Sequence, residues 1–129
     1  MKRILLDTHA LIWWLTDDPR IGRLRQEIED SGATPVLSTI SLWEIQFKVQ
    51  AGKIRFDRSV SEIQSAFESN GFGCPLPFEG RHVATLEGLP SIHKDPFDRA
   101  LVAQAICEGL VLATHDTLVL RYPVLTLAL

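Results

Sequence analysis

Asp7, Glu44, Asp98 and Asp116 are the side chains of this sequence best placed to do chemistry. Asp7 ends the apolar run Arg3-Ile4-Leu5-Leu6, and Asp116 follows Leu110-Val111-Leu112-Ala113-Thr114. Asp98 opens a long apolar stretch just after Asp95-Pro96-Phe97. Glu44 lies among Ile40, Trp43, Ile45 and Phe47, where a carboxylate needs a partner or costs several kcal/mol to bury, on the order given by transfer data. Carboxylates brought together repel one another unless a cation holds them. The cation that suits oxygen donors is a hard one, Mg²⁺ or Mn²⁺.

Taken singly, each acid also has an ordinary structural explanation. Asp7 and Asp95 are both suited to cap a helix, Asp95 more so because Pro96 follows. Asp98 in a first turn complements the helix dipole, Asp116 can close a turn with Thr117, and Glu44 can pair with Lys48 one turn on. The conjunction favours a shared site: two acids at strand ends, one opening a helix and one buried in another. No rival chemistry is as complete, since Ser38 and Ser41 lack a placed histidine and no glycine-rich phosphate loop is present. His9, His93 and His115 fall near the acids while His82 stands apart, and their spacing fits no zinc signature. A hydrogen-bonding role is the default for each, with His9 and His115 available to position a phosphate.

The elements that must carry these acids alternate between strand and helix, which predicts a parallel sheet covered by helices. Strands are expected at 2–6, 34–38, 110–113 and 124–127, with Cys74-Pro75-Leu76 as a short edge strand. Helices are expected at 8–16, 20–30, 39–50, 59–69, 79–87 and 96–108. Asp18 and Pro19 start the second helix, and Gly32 and Gly109 end the second and last. Ligand sites in such sheets form beyond the carboxyl ends of the strands where strand order reverses, so Asp7 and Asp116 can meet only if the first strand is central.

The 129 residues fit one domain, 1–129, with room for a core. Two lone cysteines, Cys74 and Cys107, predict buried free thiols in a reducing compartment. No run reaches the roughly 18 apolar residues a membrane helix needs, so a cytoplasmic protein is expected. The net charge of −3 excludes a general polyanion binder. Lys48, Lys53, Arg55 and Arg58 form the one basic cluster, either a solvated face or a contact for nucleic acid.

These motifs, in this order, resemble the PIN-domain ribonucleases, specifically the VapC-like toxins of toxin–antitoxin pairs. The resemblance runs nearly the whole chain: Leu5-Leu6-Asp7-Thr8-His9-Ala10-Leu11-Ile12-Trp13; Ser41-Leu42-Trp43-Glu44-Ile45 with Lys48 and Gly52-Lys53; His93-Lys94-Asp95-Pro96-Phe97-Asp98-Arg99; and Thr114-His115-Asp116. It implies a three-layer α/β/α sandwich around a parallel sheet. Asp7, Glu44, Asp98 and Asp116 become the catalytic, metal-binding set, with Asp95 accessory and Thr114, His9, His115, Lys48 and Arg99 near the substrate. One or two Mg²⁺ or Mn²⁺ ions would polarise a scissile RNA phosphate, often of tRNA in that family, and lower the pKa of a bound water. An antitoxin chain and a homodimer are the implied partners. The helix at 8–16 carries more apolar surface than one face can bury, so it is either covered by its own domain or a second copy, or offers an antitoxin groove. Against these stand a silent PIN-like binding module, a metal-dependent phosphatase, and a receiver-type signalling domain. The receiver would need a second acid beside Asp7 and a lysine after the last strand, and has neither.

Overall fold

A computed structural model describes residues 2–129. Its strands are β1 (Arg3–Leu6), β2 (Thr34–Val36), β3 (Val111–Thr114) and β4 (Thr126–Ala128). Its helices are α1 (Thr8–Thr16), α2 (Gly22–Ser31), α3 (Thr39–Gln50), α4 (Val60–Ser69), α5 (Gly80–Glu87) and α6 (Pro96–Glu108). The strands form one parallel sheet in the order β2-β1-β3-β4, with Leu5 opposite Val36 on one side and Leu112 on the other.

Side-chain alternation makes the sheet two-faced. Ile4, Leu6 and Ala113 join one core with α1, α2, α3 and α4, while Leu5, Val36 and Leu112 join a second core with α6. The predicted three layers follow. The chain leaves β1 for β2 on one side and later enters β3 on the other, so the order reverses between β1 and β3. A crevice therefore opens at their carboxyl ends, where Asp7 and Asp116 stand.

Capping explains most helix limits. Asp7 accepts from Ala10 N at 2.8 Å, Ser38 from Ile40 N at 3.0 Å, and Asp95 from Phe97 N at 2.8 Å. Ser59 and Glu79 are caps, one residue outside their helices rather than inside as expected. Pro19–Ile21 forms a short 3-10 turn capped by Asp18, so the second helix begins later than residue 20. Gly109 at φ +66° ends α6, a conformation that costs a glycine little.

Several expectations need correction. Residues 74–76 do not form a strand: a single parallel bridge joins Ser38 to Leu76, with Leu76 N donating to Leu37 O at 2.7 Å. Pro75 has no N–H to extend it. β2 is shorter than 34–38 because the chain turns at Ser38 to cap α3. β3 and β4 begin one and two residues later than expected, set by the register Leu112 opposite Thr126, and Leu125 stays 73% exposed. The cysteines are free but not buried, for Cys74 is exposed on a loop and Cys107 is half-buried in the last turn of α6.

The apolar excess of α1 is covered by its own domain. Trp13 and Leu11 are buried, Trp14 packs edge-on against Phe72, and the Arg20 and Arg25 guanidinium groups lie over Trp13 and Trp14. Open aromatic surface lies on α3 instead, where Trp43 is 58% and Phe47 49% exposed. No helix among the described residues is long and apolar enough to cross a membrane.

Candidate metal centre

The first ligand candidate is fixed by two strands at once. Asp7 is buried, its backbone N–H donates to Ala113 O on β3 at 3.1 Å, and its side chain caps α1. Burial pushes its carboxyl above the ordinary range, offset in part by bonds from the Thr114 hydroxyl and Ala10 N–H and by the charges of His9 and His115. Thr114 is fully buried, and its hydroxyl oxygen also accepts from Asp116 N at 3.1 Å. One hydroxyl thus ties the acid after β1 to the acid after β3.

Asp116 is held by its own turn. Its Oδ1 accepts from Leu118 N at 2.8 Å and Val119 N at 3.1 Å, and its Oδ2 accepts from His93 Nε2 at 3.1 Å. Partial burial works to raise its pKa, but those donors prevail and hold it below the usual carboxylate value.

Glu44 reaches the crevice from the side, one and a half turns into α3. It is 2% exposed, its Oε1 accepts from the Thr8 hydroxyl at 2.6 Å, and its Oε2 pairs with Lys48. The helical pairing expected of Lys48 is present, but buried rather than on a solvated face. Glu44, Asp95 and Asp98 all draw on the Lys48 charge, so this ammonium is the one cation of the basic cluster that serves the acids. Lys53, Arg55 and Arg58 are exposed on the following loop.

Asp98 is where the fields converge. It sits in the first turn of α6 behind the capping Asp95, whose Oδ1 accepts from Asp98 N at 3.3 Å. Desolvation raises its pKa to about 7, with Asp95, Glu44 and Asp7 adding repulsion and only His93 opposing. His93 Nε2 lies 3.2 Å from Asp98 Oδ2 and 3.1 Å from Asp116 Oδ2. The four acids separated along the chain are therefore one electrostatic cluster, linked through Thr114 and His93.

The donor set consists of carboxylate oxygens that burial and mutual repulsion make costly to ionise together, which is the condition a hard divalent cation relieves. At these acids only Asp98 and Asp116, with His93, bring ligand atoms within 4.8 Å of one another among the described residues, while Glu44 and Asp7 act on Asp98 through their charge and Asp95 lies one helical turn behind. His9 and His115 are exposed beside Asp7, their rings 5.5 Å apart and His115 4.7 Å from Trp13. Arg99 is engaged elsewhere: its Nη1 donates to Pro90 O at 2.9 Å and to Tyr122 Oη at 3.0 Å, bracing the loop before α6.

Two further residues hold the acids: Thr8, which was given no role from sequence, and His93, of which only a hydrogen-bonding role was expected. Thr8 follows Asp7 directly, and its side chain faces α3. His93 stands two residues before the cap Asp95, a spacing that lets its Nδ1 accept Asp95 N–H at 3.0 Å while Nε2 turns to the acids.

The comparisons agree with this architecture. The PIN domain family matches residues 4–125. No curated protein matches the sequence closely enough to count as a relative. Among solved structures, VapBC2 from Rickettsia felis, bound to a DNA fragment from its promoter, is similar with a TM-score of 0.71 at 17% identity, covering 98% of each chain. FitAcB from Neisseria gonorrhoeae gives 0.63 at 20% identity over 95% of each chain. FitAB bound to a DNA fragment gives 0.64 at 18% identity, over 97% of this chain and 94% of that one. With its parallel sheet, its acids gathered at the β1–β3 crevice and a family match spanning nearly every residue, the chain belongs to the PIN domain family.

Proposed function

We propose that this protein is a divalent-metal-dependent endoribonuclease acting as the toxin of a toxin–antitoxin pair. One observation carries the reading: Asp98 and Asp116, from separate elements, meet at His93 Nε2 at 3.2 and 3.1 Å, with Asp98 partly buried and crowded by Asp95, Glu44 and Asp7. Such crowding is costly in a site without a function that uses it, and a cleft with strongly perturbed carboxyls is where catalysis is expected.

Bound Mg²⁺ or Mn²⁺ would supply charge stabilisation at a scissile phosphate and a more acidic water. The chain's own residues do the rest. Asp7, Glu44, Asp98 and Asp116 would hold the ion, whose charge would favour the ionised form of Asp98. Thr8 and Thr114 fix the rotamers of Glu44 and Asp7 through their hydroxyls. Lys48 offsets the outer oxygen of Glu44, so that the site does not repel an RNA backbone outright. His9 and His115, exposed next to Asp7 with their rings 5.5 Å apart, would meet an incoming phosphate.

The likeness to VapBC2 and FitAB complexes supports a small antitoxin as the partner that silences the site, with both proteins in the cytoplasm. A homodimer belongs to the same reading. The exposed Trp43 and Phe47, with Phe97 at 4.9 and 6.0 Å between ring centres, supply surface for it to cover.

The direct test is cleavage of RNA by the purified protein with Mg²⁺ or Mn²⁺. Activity should vanish in excess EDTA and in Asp7→Asn, while the circular dichroism spectrum stays unchanged. Undiminished cleavage in EDTA, or by Asp7→Asn, would sink the assignment. Expression without a partner should arrest growth, and the Glu44→Gln form should not.

A further inference from the structure

We propose that His93 is a positioning residue for the site: its Nε2–H gathers Asp98 from α6 and Asp116 from the turn after β3, so that both carboxylates face one cation. The inference rests on the ion-dependent reading above and extends it to a residue outside the acid set.

The ring's protonation follows from its bonds. His93 Nδ1 accepts Asp95 N–H at 3.0 Å, so Nδ1 keeps its lone pair and the ring proton resides on Nε2. A nitrogen that carries a proton cannot ligate a metal. His93, Asp98 and Asp116 offer atoms within 4.8 Å of one another, but they are two candidate ligands and an organiser rather than three ligands. The N–H is directed at Asp116 Oδ2 at 3.1 Å, with Asp98 Oδ2 beside it at 3.2 Å. Two carboxylates on separate elements would otherwise drift apart under their repulsion.

The support behind His93 is rigid. Its backbone N–H donates to Tyr122 Oη at 2.8 Å, and the same oxygen accepts from Arg99 Nη1 at 3.0 Å. Asp116 is locked from its other side by Leu118 N and Val119 N. Because the anchor to Tyr122 uses the backbone amide, a side-chain substitution at position 93 leaves it in place. Residues that orient metal ligands in this manner typically change metal affinity about 10–100-fold when removed.

The test compares the parent, His93→Ala and His93→Gln as full-length chains. Mn²⁺ affinity is read from the electron paramagnetic resonance of the free ion, and the thermal midpoint is recorded for each. His93→Ala should bind Mn²⁺ about tenfold more weakly or worse. His93→Gln, whose amide N–H can reach the same oxygens, should recover most of that loss. The imidazole ¹⁵N spectrum of the metal-free parent should show His93 as the Nε2–H form. Unchanged or tighter Mn²⁺ binding by His93→Ala overturns the proposal, as does an Nδ1–H tautomer. If His93→Ala melts early, His93→Gln and the tautomer decide. A parent that cleaves RNA while the variants bind Mn²⁺ equally well removes only this inference, whereas a parent that binds no Mn²⁺ removes both.

Discussion

In its first turn α6 presents Asp98 to His93, and in its last turn it presents Glu108 to His82. Both histidines use Nδ1 to accept the N–H of a helix cap, His93 from Asp95 at 3.0 Å and His82 from Glu79 at 2.9 Å. Both turn Nε2 toward a carboxylate. The surroundings then diverge. At the first end burial raises the Asp98 pKa to about 7, with Asp95, Glu44 and Asp7 crowding it further. At the far end burial works to raise Glu108, but the Arg81 guanidinium prevails and holds it below its usual value. A histidine facing an acid is thus local architecture at both ends of one helix. What makes the first end a candidate metal centre is the surplus of carboxylates, meeting only because the strand order reverses there.

The largest contrast should appear in catalysis. Asp98→Asn should lower RNA cleavage by at least about 10³-fold, the scale of several kcal/mol of lost charge stabilisation. Glu108→Gln should cleave within about twofold of the parent, since no reacting group is near it. Comparable losses in both would erase the distinction between the two ends.

Stability should show the reverse order. His82 is fully buried and joins α5 to the cap of that helix, so His82→Ala should cost about 2–4 kcal/mol in urea unfolding, from the cavity and the lost bond to Glu79 N. Its Nε2 faces Glu108 Oε2 at 3.5 Å without a true hydrogen bond, so that contact contributes little to the loss. A cost as small as that of a surface substitution would show that the far end is not a structural brace.

Acidity sharpens the comparison further. With Asp98 raised above its unfolded value of 3.8, the native state binds more protons than the unfolded chain between pH 3.8 and about 7. Stability of the metal-free protein from this group is therefore full below that window and falls as pH rises through it, by at most about 1.4 kcal/mol per pH unit. Asp7, raised by burial, acts in the same sense. Glu108 has the opposite sign, stabilising above its unfolded value of 4.5 and losing that contribution as pH falls. Chemical unfolding in EDTA at about pH 3.5, pH 5 and pH 7.5 reads both arms, the lower between the first two and the upper between the last two. Asp98→Asn should flatten the upper arm and leave the lower one. An Asp98→Asn protein with the parent's slope above pH 5 would contradict the assignment.

Much of this was legible because the acids mark boundaries. Asp7 and Asp95 are caps as well as site residues, so the rules that locate a helix start also locate the crevice. α6 was bounded by Asp95-Pro96 and Gly109, and its limits agree residue for residue. The short strands were less readable. β4 owes its start to the register with β3, and a three-residue strand carries too little pattern to reveal that by itself. The apolar excess of α1 was visible, but its cover came from Phe72, Arg20 and Arg25, contacts that depend on the tertiary path of the chain. A hydrogen-bonding role was expected of His93, but its partners were not legible because they lie on two ring nitrogens, one local to Asp95 and the other 23 residues away at Asp116.

The last contrast predicts an effect of zero. His82, Cys107 and Glu108 also bring ligand atoms within 4.8 Å of one another, as a metal site would require. Two features argue against an ion there. His82 Nδ1 accepts Glu79 N–H, which leaves the proton on Nε2, and Arg81 pairs with Glu108. A guanidinium already in place offers a carboxylate the charge a cation would bring, without dehydrating one. An Asp98→Asn, Asp116→Asn double variant, with the far cluster intact, should therefore bind no Mn²⁺ by the resonance assay. Cys107→Ala in the otherwise unaltered chain should leave Mn²⁺ affinity unchanged. Residual binding in the double variant, abolished by adding Cys107→Ala, would show that a histidine and an acid at the end of α6 suffice after all, and that carboxylate surplus is the wrong criterion for telling the two ends apart.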